Sequence, residues 1–593
     1  MSQKEIFDSI PNRLFKAART HAFSPAYHVR ENGSWIPTNY RTYAEQVKET
    51  AKALTALGVE TGGAVSILGF NRPEWIIMEL AAMTIGAVAV GIYTTSSPEE
   101  CQYIVDHSES TVILVENKHQ WEKINEVRQS LPKLRHIVMM KSDEQVDGVH
   151  GWQEFLEMAA KVDDKVIDDG VAAIKPEGLA TLIYTSGTTG PPKGVMLTHD
   201  NLSFTADAIL GVIRYGENDC GMSYLPLSHI AEQMLSIHIP ITGKGSIYIA
   251  ESLDKLAENI REVQPTVFFA VPRVWEKFQA KVNEKLKSAT GTKKKIVEFA
   301  RGAARDMMTY KNNGDPAPLS IKLKYKLANK LVLSKLKPAL GLGRAHLCIS
   351  AAAPIGIETV EFFAKLDIPI SEVYGQSEDC GPTTINLPGR RSFGTVGGLV
   401  PGIHVKIADD GEILVKGRNV CAGYFKDQKA TDETFKDGWL HSGDLGEFTD
   451  KGFLTITGRK KDIIITAGGK NIAPKNIEAS LKHHELINEA VVIGDRKKYL
   501  TALLTIDEES FESWRKQNND DDAPYHQSET IKRTIQSHID DINDKLAQVE
   551  TIKKFTVLPR NFSIDAGELT PTLKIKRKNI NENFSDTIQS MYS

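Results

Sequence analysis

Within its first 115 residues the chain alternates short apolar runs with helix signals, and this alternation restricts the fold more than any other feature. Ala64-Val-Ser-Ile-Leu has the length of a buried strand, and Pro73-Glu-Trp puts a proline in the first turn of a helix. Ser97-Pro98-Glu99-Glu100 is a capping box, with a serine cap and a glutamate three residues later. Its helix leads to a further apolar run, Thr111-Val-Ile-Leu-Val. Strand, helix, strand, helix, strand predicts a parallel sheet covered on both faces. The stretch from Trp75 to Tyr93 holds one charge, Glu79, and is long enough to span a bilayer. Glu79 would be costly in lipid, Gly86 interrupts the run, and its second half reads as a strand. A helix followed by a buried strand is therefore expected, not a spanning helix.

A chain of 593 residues is too long for one core. The buried-strand texture returns at Pro265-Thr-Val-Phe-Phe-Ala-Val and at Ala345-His-Leu-Cys-Ile-Ser. From about Gly394 short strands with frequent glycine predict a small antiparallel sheet or barrel. From about Asp462 a separate α+β unit runs on, with Asn518-Asn519-Asp520-Asp521-Asp522 as a solvated loop. The expected fold is α/β. Residues 1–460 form a large N-terminal region of two α/β subdomains plus a β-rich one at about 394–460, and residues 461–593 form an α+β domain.

A net charge of −4 argues against electrostatic binding to nucleic acid. The opening Met1-Ser-Gln-Lys-Glu-Ile-Phe lacks the apolar core of a signal peptide, and the five cysteines show no Cys-x-x-Cys pair. Reduced thiols in a cytoplasmic protein are expected. Charge is uneven, however. Residues 277–344 carry 17 lysines and arginines against 4 acidic residues. Within them Ile321-Lys-Leu-Lys-Tyr-Lys-Leu mixes basic with apolar side chains, as a helix on an anionic bilayer surface would. A solvated helical insertion would look similar.

The densest chemical signal is Tyr184-Thr-Ser-Gly-Thr-Thr-Gly-Pro-Pro-Lys193, which follows the apolar strand Leu179-Ala-Thr-Leu-Ile. Loops at strand ends are where α/β folds bind ligands. Glycines let backbone N–H groups approach a phosphate, hydroxyls add donors, and Lys193 adds positive charge. No Gly-Lys-Ser/Thr follows at Walker spacing. A flexible linker of this composition would need neither the lysine nor the strand.

Further motifs follow in order: Tyr224-Leu-Pro-Leu-Ser-His229, Ser350-Ala-Ala-Ala-Pro354, Tyr374-Gly-Gln-Ser-Glu378, Gly438-Trp-Leu-His-Ser-Gly-Asp444, Ile456-Thr-Gly-Arg459-Lys-Lys461 and Gly567-Glu-Leu-Thr-Pro-Thr-Leu-Lys574. Together they resemble the AMP-forming acyl-CoA synthetases of the adenylating superfamily, which includes luciferases and peptide-synthetase adenylation domains. The resemblance covers essentially the whole chain. Val271-Pro-Arg-Val-Trp-Glu-Lys277 and the basic insertion resemble the long-chain branch. Ile465-Thr-Ala-Gly-Gly-Lys470 is similar to its bubblegum-type subgroup.

The resemblance implies ATP-dependent ligation of a long-chain fatty acid to coenzyme A through an acyl-adenylate. It gives the phosphates to Thr185, Ser186, Gly187, Thr188, Thr189, Gly190 and Lys193, and Mg²⁺ to Glu378 with Thr188. Ala351, Ala352 and Tyr374 would meet adenine, with Gly375, Gln376 and Ser377 completing that wall. Asp444 and Arg459 would hold the ribose. His229 would sit near the acyl carboxylate, and Lys574 would stabilise charge during adenylation. Lys461 would be the hinge of a mobile lid that, swung over, brings Gly468, Gly469 and Lys470 to coenzyme A. Read alone, Lys574 belongs to a basic tail, His229 is a core histidine, and Asp444 and Arg459 are ordinary surface charges. Ala351 and Ala352 stand where many relatives have glycines, and Ser377 where threonine is commoner. Two other readings remain: transfer of the acyl group to a carrier-protein thiol, and a catalytically silent lipid- or nucleotide-binding relative.

Overall fold

The computed structural model describes residues 6–141, 146–185, 191–287, 290–467, 470–518, 524–570 and 573–593. The early alternation builds a seven-stranded sheet. Ser110–Val115, Ala64–Leu68, Val88–Ile92 and Leu179–Thr185 are consecutive parallel neighbours at its centre, and Lys193–Thr198 closes one edge antiparallel. The expected helices are present at Pro73–Thr84 and Pro98–His107, the second with its capping box formed. The 75–93 stretch divides as expected into a helix and the strand Val88–Ile92. Glu79 is wholly buried there, and burial pushes its carboxyl pKa well up, so it is held as the neutral acid. No helix of the described residues is long and apolar enough to cross a membrane.

A second sheet runs parallel through Val267–Ala270, Leu347–Ser350 and Ile370–Tyr374, then antiparallel through two short strands. A third joins Cys220–Ser223 and Ser246–Ile249 to Pro25–Glu31 and Ser34–Asn39, with Tyr27 opposite Ile247 far along the chain. The β-rich part is a five-stranded antiparallel sheet from Ile403 to Arg459. The carboxyl ends of the central parallel strands of the first two sheets face one cleft, where ligands of open α/β sheets bind.

The chain after Asp462 has its own apolar cluster, from Ile464 and Leu481 through Leu504 to Val557, built on the strands Ile487–Ile493, Leu500–Ile506 and Ile552–Val557. It touches the preceding region at several places. Arg273 Nη2 pairs with Asp507 at 2.6 Å and donates to Asn488 Oδ1 at 2.7 Å. The His483 ring lies over Gly356, where any side chain would fall on the imidazole. All five cysteines are buried and free.

Candidate active site

A cavity of about 1430 Å³ opens between the two carboxyl-end faces and the C-terminal unit. It brings together most of the residues singled out above. Thr185, Lys193, His229, Ala351, Ala352, Tyr374, Gly375, Gln376, Ser377, Glu378, Asp444, Arg459, Lys461 and Lys574 all line it. Ser186, Gly187, Thr188, Thr189, Gly190, Gly468 and Gly469 lie outside the described residues. Lys470 is not on the cavity wall. It ends a hairpin, its N–H donating to Thr466 Oγ1 at 3.2 Å, and is exposed.

Local structure explains each placement. Lys193 begins the strand that pairs antiparallel with Leu179–Thr185, and stands opposite Thr185. Its ammonium lies over the Tyr424 ring, 4.7 Å from the centroid. Tyr424 also donates to Glu378 Oε1 at 2.9 Å, so one phenol positions both a cation and an anion of the site. Asp444 sits on the strand Trp439–Phe448, where Gly443 has φ +70° and the register against Glu412–Gly417 slips. That bulge turns the carboxylate inward. Arg459 is its cross-strand partner, 3.3 Å from Asp444 Oδ1, which explains the fifteen-residue spacing as the two arms of a hairpin.

Tyr374 donates to Asp444 Oδ2 at 3.1 Å, and Gln376 Nε2 donates to the same oxygen at 2.5 Å. Gly375 packs so tightly on the carbonyl of Gly381 that no side chain fits. Ala352 has φ +72°, a conformation that favours glycine, so the alanine there carries backbone strain of about 1 kcal/mol.

Lys574 stands at the end of a short hairpin. Thr570 N–H donates to the Lys574 carbonyl at 2.8 Å, Lys574 N–H donates to Thr570 Oγ1 at 3.0 Å, and Leu573 is left-handed. The residue is exposed, because the open cavity it lines admits solvent, while the protein packed around that cavity desolvates the ammonium. Burial lowers its ammonium pKa, as do Arg459 and Lys475, against the attraction of Glu378 and Asp444. His229 caps the short helix Ile230–Gln233, its Nδ1 accepting from Ala231 N–H at 3.1 Å. Burial and then the charge of Lys574 bring its pKa down to about 4, so the ring is neutral at physiological pH.

Three contributors were not read from the sequence. Tyr424 is one. Glu412 is another, accepting from the Gly443 N–H at 2.9 Å and so fixing the bulge. The third is Glu232, whose Oε1 accepts from Ser223 Oγ at 2.8 Å and Ser236 Oγ at 2.6 Å. It pins the His229 segment to the strand beside it. Burial raises its pKa to about 8. A glutamate inside an otherwise apolar helical run was the available signal for Glu232; lone Tyr424 and Glu412 offered none.

Among the described residues no cluster of three or more histidines, cysteines or carboxylates could hold a metal alone. Glu378, a single carboxylate on a cavity with space for phosphates, has the donor chemistry magnesium takes when phosphates supply other ligands. Past the polar end, Ile230, Met234, Phe269, Ile349 and Val373 line an apolar arm.

Residues 14–425 match the family described as AMP-binding enzyme, and residues 461–593 match its C-terminal domain. The chain is 39% identical to the long-chain-fatty-acid–CoA ligase ACSBG2 of Xenopus laevis, over 95% of this chain and 81% of that one. It is 35% identical to the long-chain-fatty-acid–CoA ligase FadD15 of Mycobacterium bovis, over 99% and 97%. A crystal structure of an anthranilate CoA ligase in complex with anthranoyl-AMP shares the fold, with a TM-score of 0.73, 20% identity and 98% of each chain covered.

Proposed function

This chain belongs to the AMP-binding enzyme family, and on that footing we propose that it ligates a long-chain fatty acid to coenzyme A through an acyl-adenylate. The observation that carries the reading is one cavity with a charged end, holding Lys193, Glu378, Asp444, Arg459 and Lys574, and an apolar arm leading away from it. ATP and a carboxylate repel each other, so bringing them together requires concentrated positive charge. In the first step a carboxylate oxygen attacks the α-phosphorus of ATP and pyrophosphate leaves. In the second the coenzyme A thiolate attacks the acyl carbonyl and AMP leaves.

We assign Asp444 and Arg459 to the ribose, Tyr374 and Ala351 to Ala353 to the base, and Lys193 to the phosphates. Glu378 would hold Mg²⁺, which when bound neutralises phosphate charge. Neutral His229, on the same cavity wall, would orient the acyl carboxylate without adding charge. Residues 461–593 are assigned as the lid, turning about Lys461. The pose described, with Lys574 on the cavity and Lys470 off it, suits adenylation.

The test is a panel of saturated acids from short to very long, with aromatic acids, each given ATP, Mg²⁺ and coenzyme A. A maximum among long-chain acids, with AMP and thioester formed in equal amounts, is expected. AMP or acyl-AMP without thioester would favour a carrier-protein acceptor instead.

The reading extends to a cytoplasmic enzyme working at an anionic membrane surface. The helix Leu319–Ala328 and the turn after it carry an exposed row of leucines, 73, 59, 50 and 42% exposed at Leu319, Leu323, Leu327 and Leu331. Lys322, Lys324 and Lys326 stand exposed alongside. Leucines at four-residue spacing beside lysines would seat in the headgroup layer and meet lipid charge. At about 1 kcal/mol per lysine, changing all three to glutamine should weaken binding to phosphatidylserine vesicles roughly 100-fold. Unchanged vesicle binding would remove the membrane reading.

A further inference from the structure

The apolar arm runs from His229 toward the amino-terminal ends of the strands Cys220–Ser223 and Val267–Ala270, away from the charged end. Gly221 and Val267 line it there. Tyr215, in the connection between the helix His199–Leu210 and the strand Cys220–Ser223, lines the same end. It packs with Ile213, Phe269 and Val373 against Val267 and Ile349.

The ring of Tyr215 rests on two glycines. A Cβ at Gly243 would lie 2.8 Å from Tyr215 Cδ1, and one at Gly245 would lie 2.6 Å from Cε1 and 2.5 Å from the phenolic oxygen. Neither glycine has a left-handed φ, so the ring's space, not the backbone, excludes a side chain there. Gly221, on the cavity wall, meets nothing closer than a carbonyl at 3.9 Å. The ring is therefore held back on one side and faces open space on the other. Its hydroxyl oxygen is buried against Gly245 without a hydrogen-bond partner, and ring packing alone holds it.

We infer that Tyr215 ends the acyl pocket, and that the missing side chains at Gly243 and Gly245 set how far back that end wall stands. Acyl-chain length is then limited by one ring whose position depends on two glycines behind it. This rests on the reading, given above, that the acyl chain occupies the apolar arm.

The experiment measures kcat/KM for saturated acids in two-carbon steps, by AMP release, in wild type, Tyr215→Ala, Tyr215→Phe and Gly245→Ala. Tyr215→Ala should move the maximum to longer acids, because a chain can then enter the vacated space. Tyr215→Phe should leave it in place. Gly245→Ala pushes the ring into the arm and should move the maximum to shorter acids, with roughly tenfold loss on the longest acid wild type accepts. Tyr215→Leu, which shortens the plug without emptying it, stands in if the alanine variant does not fold. An unmoved maximum in Tyr215→Ala, or a shift in the same direction for Tyr215→Ala and Gly245→Ala, would overturn the inference while leaving a working ligase. No AMP release from any acid by wild type would instead remove the acyl-pocket reading on which it rests.

Discussion

Lys574→Ala should lower acyl-adenylate formation by about 10²–10³-fold while largely sparing thioester formation from supplied acyl-AMP. The lysine reaches the cavity from a hairpin of the C-terminal unit, with Glu378 and Asp444 drawing it in and Arg459 and Lys475 opposing it. Its charge matters most while pyrophosphate departs, when negative charge builds on the phosphates. In the second step pyrophosphate has already gone and a single phosphate leaves, so less negative charge builds and the lysine has a smaller task. Because burial lowers its pKa, the protonated form is lost at a lower pH than for an ordinary lysine. Adenylation should therefore decline on the alkaline side earlier than an unperturbed ammonium would dictate, and Lys574→Arg should remove that decline. Measuring the half-reactions separately, by pyrophosphate exchange and by thioester formation from synthetic acyl-AMP, decides the matter. Equal loss of both would reject the assignment.

Gly375→Ala should abolish AMP binding and destabilise the region around the cleft by about 3 kcal/mol or more. Gly375 leaves the strand Ile370–Tyr374 directly onto the carbonyl of Gly381, and a methyl group there meets backbone, which has no rotamer by which to yield. The segment in between holds Ser377 and Glu378, and Gln376 accounts for one of the bonds to Asp444. Displacing it separates the anion assigned to magnesium from the one assigned to ribose. AMP affinity by calorimetry, with thermal unfolding as a companion, tests this. Affinity within a few-fold of wild type would show that the loop relaxes around the methyl.

Much of this was legible in the sequence because it is local. The alternation of apolar runs with Pro73 and the Ser97 cap fixed the parallel sheet, since each signal concerns only neighbouring residues. Loop composition marked Lys193 for the same reason, and Lys193 does line the cavity. The sheet joining Pro25–Glu31 to Ser246–Ile249 was illegible, because pairing across such separation depends on packing that no short window encodes. Asp444 read alone as an ordinary surface charge; only the pairing of its strand with Glu412–Gly417 on one side, where the register slips, and with Arg459 on the other gives it a place in the site. Tyr424 gave no sign at all. Its importance lies in touching Lys193 and Glu378 together, and those meet only in the folded chain.

The buried cysteines bear on the selectivity of an enzyme whose second step is attack by a thiol. An acyl-adenylate reacts with any thiolate within reach, including one belonging to the protein. Burial raises the pKa of Cys101 and Cys348 to about 12, and that of Cys421, near Glu378, well above its usual value. Cys220 and Cys380 move the same way. At physiological pH all five are protonated and poor nucleophiles. The activated acyl group is thereby reserved for the thiol that enters from solution, and the protein is protected from acylating itself.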